Sequence, residues 1–263
     1  MGGIGQGRDE GKAEMADQSD VTDDRLLNGR VFLRQATRGY RAGMDAALLA
    51  AACDAGPGAR VLEAGCGAGG ALLAAAFRRP ETAFTGVERD RAAAALAREN
   101  VALNEFGGRV TILDGDVQAG FRALDLPAFD AAMANPPFFD DPDDLRGPAP
   151  EKAGAWMADG GLAAWTGFLL KAVREGGTIT VIHRADRLGD LLSLLGAKAG
   201  SFRIRPVHPF GDQPAKRVLV RAVKTGRAPL VLLPPLVLHE RDGGKHSAEA
   251  EAILRGDATL GWT

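Results

Sequence analysis

Cysteine is scarce in this chain, and long apolar runs are missing altogether. Only Cys53 and Cys66 occur in 263 residues, too few for a disulfide framework or a zinc cluster, so a reducing compartment is expected. His183, His208 and His239 have no metal-ligand spacing among them, and no bound metal is expected. There is no signal-peptide core and no uncharged apolar run of about 18 residues. The Ala/Leu-rich stretch from Ala46 to Ala52 is too short to span a bilayer, so a soluble, cytoplasmic protein with no membrane contact is expected. Neither sign of charge dominates: the formal net charge is −2, which excludes a polycation that binds nucleic acid by bulk charge. Nor does a Pro/Ser-rich linker divide the chain, whose 46% hydrophobic content can bury one sizeable core.

What charge there is lies unevenly. Residues 1–24 carry Arg8 and Lys12 against Asp9, Glu10, Glu14, Asp17, Asp20, Asp23 and Asp24, with much glycine and few large apolar groups. Such a segment cannot form a packed core and is expected to be a disordered acidic tail. Residues 25–263 are then expected to form a single domain whose segment 25–56 precedes the main fold as a cap. Between 198 and 227 the balance reverses, with Lys198, Arg203, Arg205, Lys216, Arg217, Arg221, Lys224 and Arg227 against Asp212 alone. A run of this kind suits either the docking of a polyanion or the charged edge of a strand pair.

The folded part begins with a short alternating strand at Arg30 to Gln35 and a helix over Ala46 to Ala52, with Asp45 as its expected cap. A βαβ rhythm follows. Strands are predicted at Arg60 to Glu63, Ala83 to Glu88, Val110 to Leu113, Phe129 to Asn135 and Thr178 to His183. Helices are predicted from Gly70 to Arg78, Asp90 to Asn104 and Gly161 to Arg174. Strands alternating with helices give a parallel sheet covered on both faces. Ser201 to Val207 and Arg217 to Val223 are joined by a Pro- and Gly-bearing connection too short for a crossover helix, so they should pair antiparallel. An α/β chain with a mostly parallel sheet and an antiparallel closing strand differs from an ordinary dinucleotide fold in that closure. Beyond it, Ser247 to Leu254 reads as a helix capped by Ser247.

In open α/β sheets, ligands lie beyond the carboxyl ends of the strands where strand order reverses. The turn after the first strand of the rhythm reads Glu63-Ala64-Gly65-Cys66-Gly67-Ala68-Gly69-Gly70. Gly65, Gly67 and Gly69 would let backbone approach a ligand where side chains collide. This turn also satisfies the dinucleotide fingerprint, so alone it does not separate S-adenosylmethionine from NAD. Glu88, ending the next strand, can take both hydroxyls of a ribose. Asp116, after the third, can accept from an adenine amine while Val117 or Phe121 flanks the ring. Cys66 has no His nearby in sequence and reads as a packing residue.

Asn135-Pro136-Pro137-Phe138 is the second motif. Two prolines stiffen the turn and remove backbone donors, leaving the Asn135 side-chain oxygen and the Pro136 carbonyl as acceptors. A planar exocyclic nitrogen has its lone pair delocalised. Two acceptors on its hydrogens favour the pyramidal geometry needed for attack, which is binding specific to the transition state. Phe138, with Phe139 behind it, offers a face on which a flipped base can stack. Joined to the glycine turn, these residues point to an N-methyltransferase. An NAD-dependent oxidoreductase would leave the Asn-Pro-Pro-Phe turn without a role, and a catalytically silent RNA-binding module would need neither motif intact.

Two further segments narrow the comparison: Gly39-Tyr40-Arg41-Ala42-Gly43-Met44-Asp45-Ala46-Ala47-Leu48-Leu49 and Ala215-Lys216-Arg217-Val218-Leu219-Val220. With the glycine turn and Asn-Pro-Pro-Phe, they resemble the bacterial methyltransferases that modify N6 of an anticodon-loop adenine in valine tRNA. The resemblance runs from about Asp23 to Gly256. It implies a class I methyltransferase Rossmann-like fold with a seven-stranded, mostly parallel sheet. It implies S-adenosylmethionine at Glu63, Gly65, Gly67, Glu88 and Asp116, with a cap over its methionine end near Arg41 to Asp45. Target presentation falls to Asn135, Pro136 and Phe138; within the basic run, Lys216 and Arg217 are the expected tRNA contacts. Phe138 stands where adenine-N6 and glutamine enzymes often have Tyr and guanine-N2 enzymes often have Phe. Guanine-N2 methylation of RNA and N5 methylation of a protein glutamine therefore stay open as alternatives.

Overall fold

The computed structural model describes residues 21–138, 161–242 and 244–263. The first twenty residues of the acidic tail, and Phe139, lie outside the described residues. The chain opens with a hairpin, β1 (Val21–Leu26) and β2 (Val31–Ala36), followed by α1 (Met44–Ala52). The main sheet then builds as β3 (Arg60–Ala64), α2 (Gly70–Arg78), β4 (Ala83–Glu88), α3 (Arg91–Leu103), β5 (Val110–Asp114), β6 (Phe129–Ala134), α4 (Gly161–Ala172), β7 (Val173–Arg184) and α5 (Leu188–Gly196). It closes with β8 (Ala199–His208) and β9 (Arg217–Lys224), then the two-residue strands β10 (Val231–Leu232) and β11 (Leu236–Val237), and α6 (Ala248–Arg255).

Nine strands make this sheet, in the order β10-β8-β9-β7-β6-β3-β4-β5, with β11 also on β8. Setting aside the short additions β10 and β11 leaves the seven-stranded body. All of its pairings are parallel except those of β9, which runs antiparallel to both β7 and β8. Residues alternate between two cores, as the pleat requires. Val61, Met133, Ile182 and Leu219 pack under α1, α2, α3 and α6, while Leu62, Ala132, Val181 and Val220 pack under α4 and α5. Burial on both faces explains why the central strands read as continuous apolar runs. No helix among the described residues is long and apolar enough to cross a membrane.

The sequence reading needs four corrections. Val21 to Asp24, assigned above to a disordered tail, form β1. Their acids are matched rather than repelling: Asp23 pairs with Arg34 at 2.9 Å and Asp24 with Arg41 at 2.7 Å. Hydrogen bonds from Gln35, Thr22 and Arg41 hold the Asp24 carboxyl below its ordinary range. Asp45 is not the cap of α1. Gly43 is, without a side-chain bond, and Asp45 reaches across to Arg217 on β9 at 2.9 Å instead. β7 starts at Val173, five residues early, because Val173 pairs with Phe129 before an irregularity in the ladder. Finally, α5 was not foreseen. Glycines at both its ends masked an amphipathic turn whose Leu191 and Leu195 are fully buried.

The hairpin is fastened to the sheet through α3, whose N-terminus Asp90 caps by accepting from the amides of Ala92 and Ala93. Asn100 is wholly buried. Its Oδ1 accepts from the Arg34 amide at 2.7 Å, and its Nδ2 donates to the carbonyls of Arg34 at 2.7 Å and Ala68 at 2.9 Å. Asn104 repeats the clasp one turn on, at Phe32. Because Asn100→Ala strands buried backbone groups on both sides, it is expected to cost about 2 to 4 kcal/mol in urea denaturation. The neighbouring Glu99→Ala, which removes an exposed pair to Arg34, should stay within about 0.5 kcal/mol.

Candidate active site at the carboxyl edge of the sheet

β3 lies between β6 and β4, so strand order reverses on either side of it, and the turn from β3 into α2 stands at the crevice where α/β sheets take ligands. Gly65 has φ +65°, and a Cβ there would come within 2.3 Å of the Trp165 ring on α4. Its bareness serves packing against Trp165, a different reason from the ligand approach expected of it. Gly67, φ +55°, does face the crevice: its absent Cβ has only Tyr40 Cδ1 nearby, at 3.9 Å. Gly69 caps α2 in a left-handed conformation.

Hydrogen bonds lock this turn to β4. The amides of Gly65 and Cys66 both donate to Val87 O, at 2.8 and 3.1 Å. Glu88 Oε2 accepts from the Gly67 amide at 2.9 Å, and Oε1 accepts from the Asp90 amide at 2.8 Å. The Glu88 carboxylate is thus aimed before any ligand arrives, with lone pairs left over for a diol. On the next strand end, Asp116 caps the single 3-10 turn Val117–Ala119 by accepting from the Gln118 amide at 2.9 Å, with Arg89 at 3.9 Å on its other oxygen. Val117 is buried beside it. Phe121 is not available to flank a ring, because it packs into the core against Phe129 and Phe168.

Beneath the turn lies Glu63, 3% exposed, with Oε2 unpartnered. Burial, and then the nearby charge of Glu88, push its carboxyl well above the usual range. Burial likewise raises the Cys66 thiol, which suits a packing residue and not a nucleophile. A bare glycine facing an open crevice, a fixed carboxylate at one strand end and a second at the next make a cradle that fits the ribose and adenine of an adenosyl cofactor.

β6 delivers Asn135 to the same edge, one strand from the glycine turn. Its Nδ2 donates to the Tyr40 hydroxyl at 2.8 Å, while its Oδ1 is buried and has no partner. Pro136, buried and without an amide hydrogen, follows. Phe138 is held between two groups: the Arg217 guanidinium lies over its ring, 4.5 Å from the centroid, and the His183 ring meets it edge to face at 5.1 Å. One face of Phe138 is therefore occupied.

The basic run does not form one surface. Arg217 is neutralised by Asp45 beside Phe138. Arg221 pairs with Asp54, and Lys224 bonds the Val173 carbonyl toward the opposite end of β9. Arg205 holds the carbonyls of Pro234 and Gly261. Lys216 remains exposed at the carboxyl edge.

Residues 41–147 match the family model described as "Methyltransferase small domain". A protein of Actinobacillus succinogenes named tRNA1(Val) (adenine(37)-N6)-methyltransferase is 33% identical to it over 148 residues, covering 56% of this chain and 62% of that protein, under two thirds of its length. A protein of the same name from Dyadobacter fermentans is 28% identical over 215 residues, covering 80% of this chain and 87% of that one. Among solved structures, one from Agrobacterium tumefaciens described as a predicted O-methyltransferase superposes with TM-score 0.69 at 26% identity, covering 82% of this chain and 98% of that chain. The fold is that of the class I methyltransferases.

Two further residues belong to this edge. Tyr40 is the chain's single tyrosine, a signal that could have drawn attention to it. His183 stood out in the sequence only for its lack of metal-ligand spacing. It is 3% exposed, both ring nitrogens lack partners, and burial followed by the charges of Arg187, Arg217 and Arg184 lowers its imidazole to about 4. A depressed value means the fold holds His183 neutral. The stability it contributes is complete above the unfolded value near 6.5 and is lost as pH falls toward 4. Thermal unfolding at pH 7 and pH 5 should therefore differ by about 2 kcal/mol less in His183→Phe than in the parent chain.

Proposed function

We propose that this protein transfers a methyl group from S-adenosylmethionine to the exocyclic N6 of an adenine in tRNA. The observation that carries the reading is the Asn135 Oδ1 atom, buried and unpartnered one strand from the glycine turn. A buried acceptor with no donor is costly, roughly 1 to 3 kcal/mol, and an amine hydrogen of the target would satisfy it. The names of the matched relatives support tRNA and adenine N6. The catalytic unit we propose is one domain, with residues 25–56 as its cap and the cap's first strand reaching back to Val21.

Glu88 would take the ribose hydroxyls, Asp116 the adenine amine, and Val117 would flank the ring. Glu63, Gly65, Gly67 and Gly69 shape the turn along which the cofactor lies. When bound, the cofactor would supply an electrophilic methyl group for the target nitrogen, whose surplus proton would pass to water. Asn135 Oδ1 and the Pro136 carbonyl accept the amine hydrogens and draw the nitrogen out of plane. Phe138 offers an aromatic ring for stacking the extruded base, which is worth about 1 to 3 kcal/mol. Lys216, exposed at this edge, suits a phosphate, and Arg217 acts on Phe138 rather than on the RNA backbone. Phe139 lies outside the described residues. Alignment, for which orientation supplies about 7 to 11 kcal/mol, accounts for most of the rate without a general base.

Methylation of unmodified tRNA followed by nucleoside mass spectrometry tests this directly, and N6-methyladenosine is the expected product. N2-methylguanosine would favour the guanine reading, and methylation of a protein glutamine with none in RNA would overturn the RNA assignment. Asn135→Ala is expected to lower kcat by about a hundredfold with little change in RNA affinity, because the lost acceptor acts in the transition state. Glu88→Ala should weaken S-adenosylhomocysteine binding in calorimetry by at least about tenfold, as expected for charged hydrogen bonds.

A further inference from the structure

A carboxamide ends in an oxygen and an NH2 of nearly the same shape, and only the oxygen accepts hydrogen bonds. Turned by half a revolution, Asn135 would present two N–H groups to the two N–H groups of an incoming amine. The reaction therefore depends on which way this amide faces. The bond that decides it comes from the cap: Asn135 Nδ2 donates to Tyr40 Oη at 2.8 Å, which leaves Oδ1 buried and free. The Pro-Pro turn that follows has no amide hydrogens to engage Oδ1.

A phenol oxygen can donate as well as accept, so its own proton must be directed elsewhere. Desolvation of the hydroxyl, with Asp45 nearby, holds Tyr40 protonated well beyond the usual phenol range. A lone pair of its oxygen accepts from Asn135 Nδ2. Tyr40 as a residue is 64% exposed, and its ring runs past Gly67 on its way to Asn135. It spans the crevice from the cofactor turn to the target turn and makes little contribution to a core.

We infer that Tyr40 is a positioning residue for methyl transfer: its hydroxyl fixes the Asn135 amide with Oδ1 toward the target amine. The inference rests on the N-methyltransferase reading above. Tyr40→Phe removes one oxygen and keeps the ring. With the full chain and tRNA as substrate, kcat should fall roughly ten- to thirtyfold, the effect of one well-placed hydrogen bond. The KM for tRNA, the calorimetric affinity for S-adenosylhomocysteine and the melting temperature should stay within about twofold or a degree or two. Because Tyr40 acts through Asn135, adding Tyr40→Phe to Asn135→Ala should cost nothing further, a non-additivity that general loosening of the fold would not produce. A Tyr40→Phe enzyme with undiminished kcat on a methylated nitrogen, or a double variant whose losses multiply, overturns the inference alone. A parent enzyme that methylates no nitrogen overturns the reading and the inference together.

Discussion

Everything at the carboxyl edge depends on the absence of side chains in the turn between β3 and α2. Trp165 presses on Gly65 from one face of the sheet, where a Cβ would come within 2.3 Å of its ring. On the other side the cap segment presses on Gly70, where a Cβ would come within 2.2 Å of the Ala42 Cβ. Protein interiors are packed too densely to absorb such overlaps without moving backbone. Held from both sides, the turn brings the amides of Gly65, Cys66 and Gly67 onto β4, and the Glu88 carboxylate is aimed as a consequence. Glycine here is a packing requirement at two positions, and only at Gly67 does it leave space for a ligand.

The cap and the end of the sheet meet at the target turn. Tyr40 and Asp45 come from the segment before the main fold, Arg217 from its last long strand, and Asn135 and Phe138 from between them. Asp45 and Arg217 form a half-buried pair at 2.9 Å. A pair in that position costs desolvation as well as gaining attraction, and its net worth lies more in register than in stability. Arg217 is thereby kept over Phe138, and α1 is kept where Tyr40 can reach Asn135. The segment that carries Tyr40 and Asp45 is joined to Arg217 by one ion pair and to Asn135 by one hydrogen bond.

Low polarity around the crevice tells on its ionisable groups. Glu63 and Cys66 are shifted upward and His183 downward, each toward its neutral form, as burial requires. Buried polar atoms of Glu63, Asn135 and His183 at this edge have no partner among the described residues. Such orphans are tolerated where a ligand completes them, in keeping with a site whose hydrogen-bond complement comes from cofactor and substrate.

The alternation of apolar runs and helical segments determined the sheet, its parallel pairing and the antiparallel closure, because burial on two faces and the length of a connection are local properties of the chain. The two motifs were legible for the same reason: a strand end, a glycine turn and a Pro-stiffened turn are all short-range features. Other features depend on partners distant in sequence. Val21 to Asp24 read as tail because their acids are neutralised by Arg34 and Arg41, and Asp45 read as a helix cap because its partner is 172 residues away. The basic run between 198 and 227 looked like one surface, but successive strand residues point to opposite faces, and Arg217 and Lys224 lie at opposite ends of β9. Which cation meets which anion, which cation lies over Phe138, and which atom of Asn135 is left free are settled by long-range packing. Only the tertiary structure decided them.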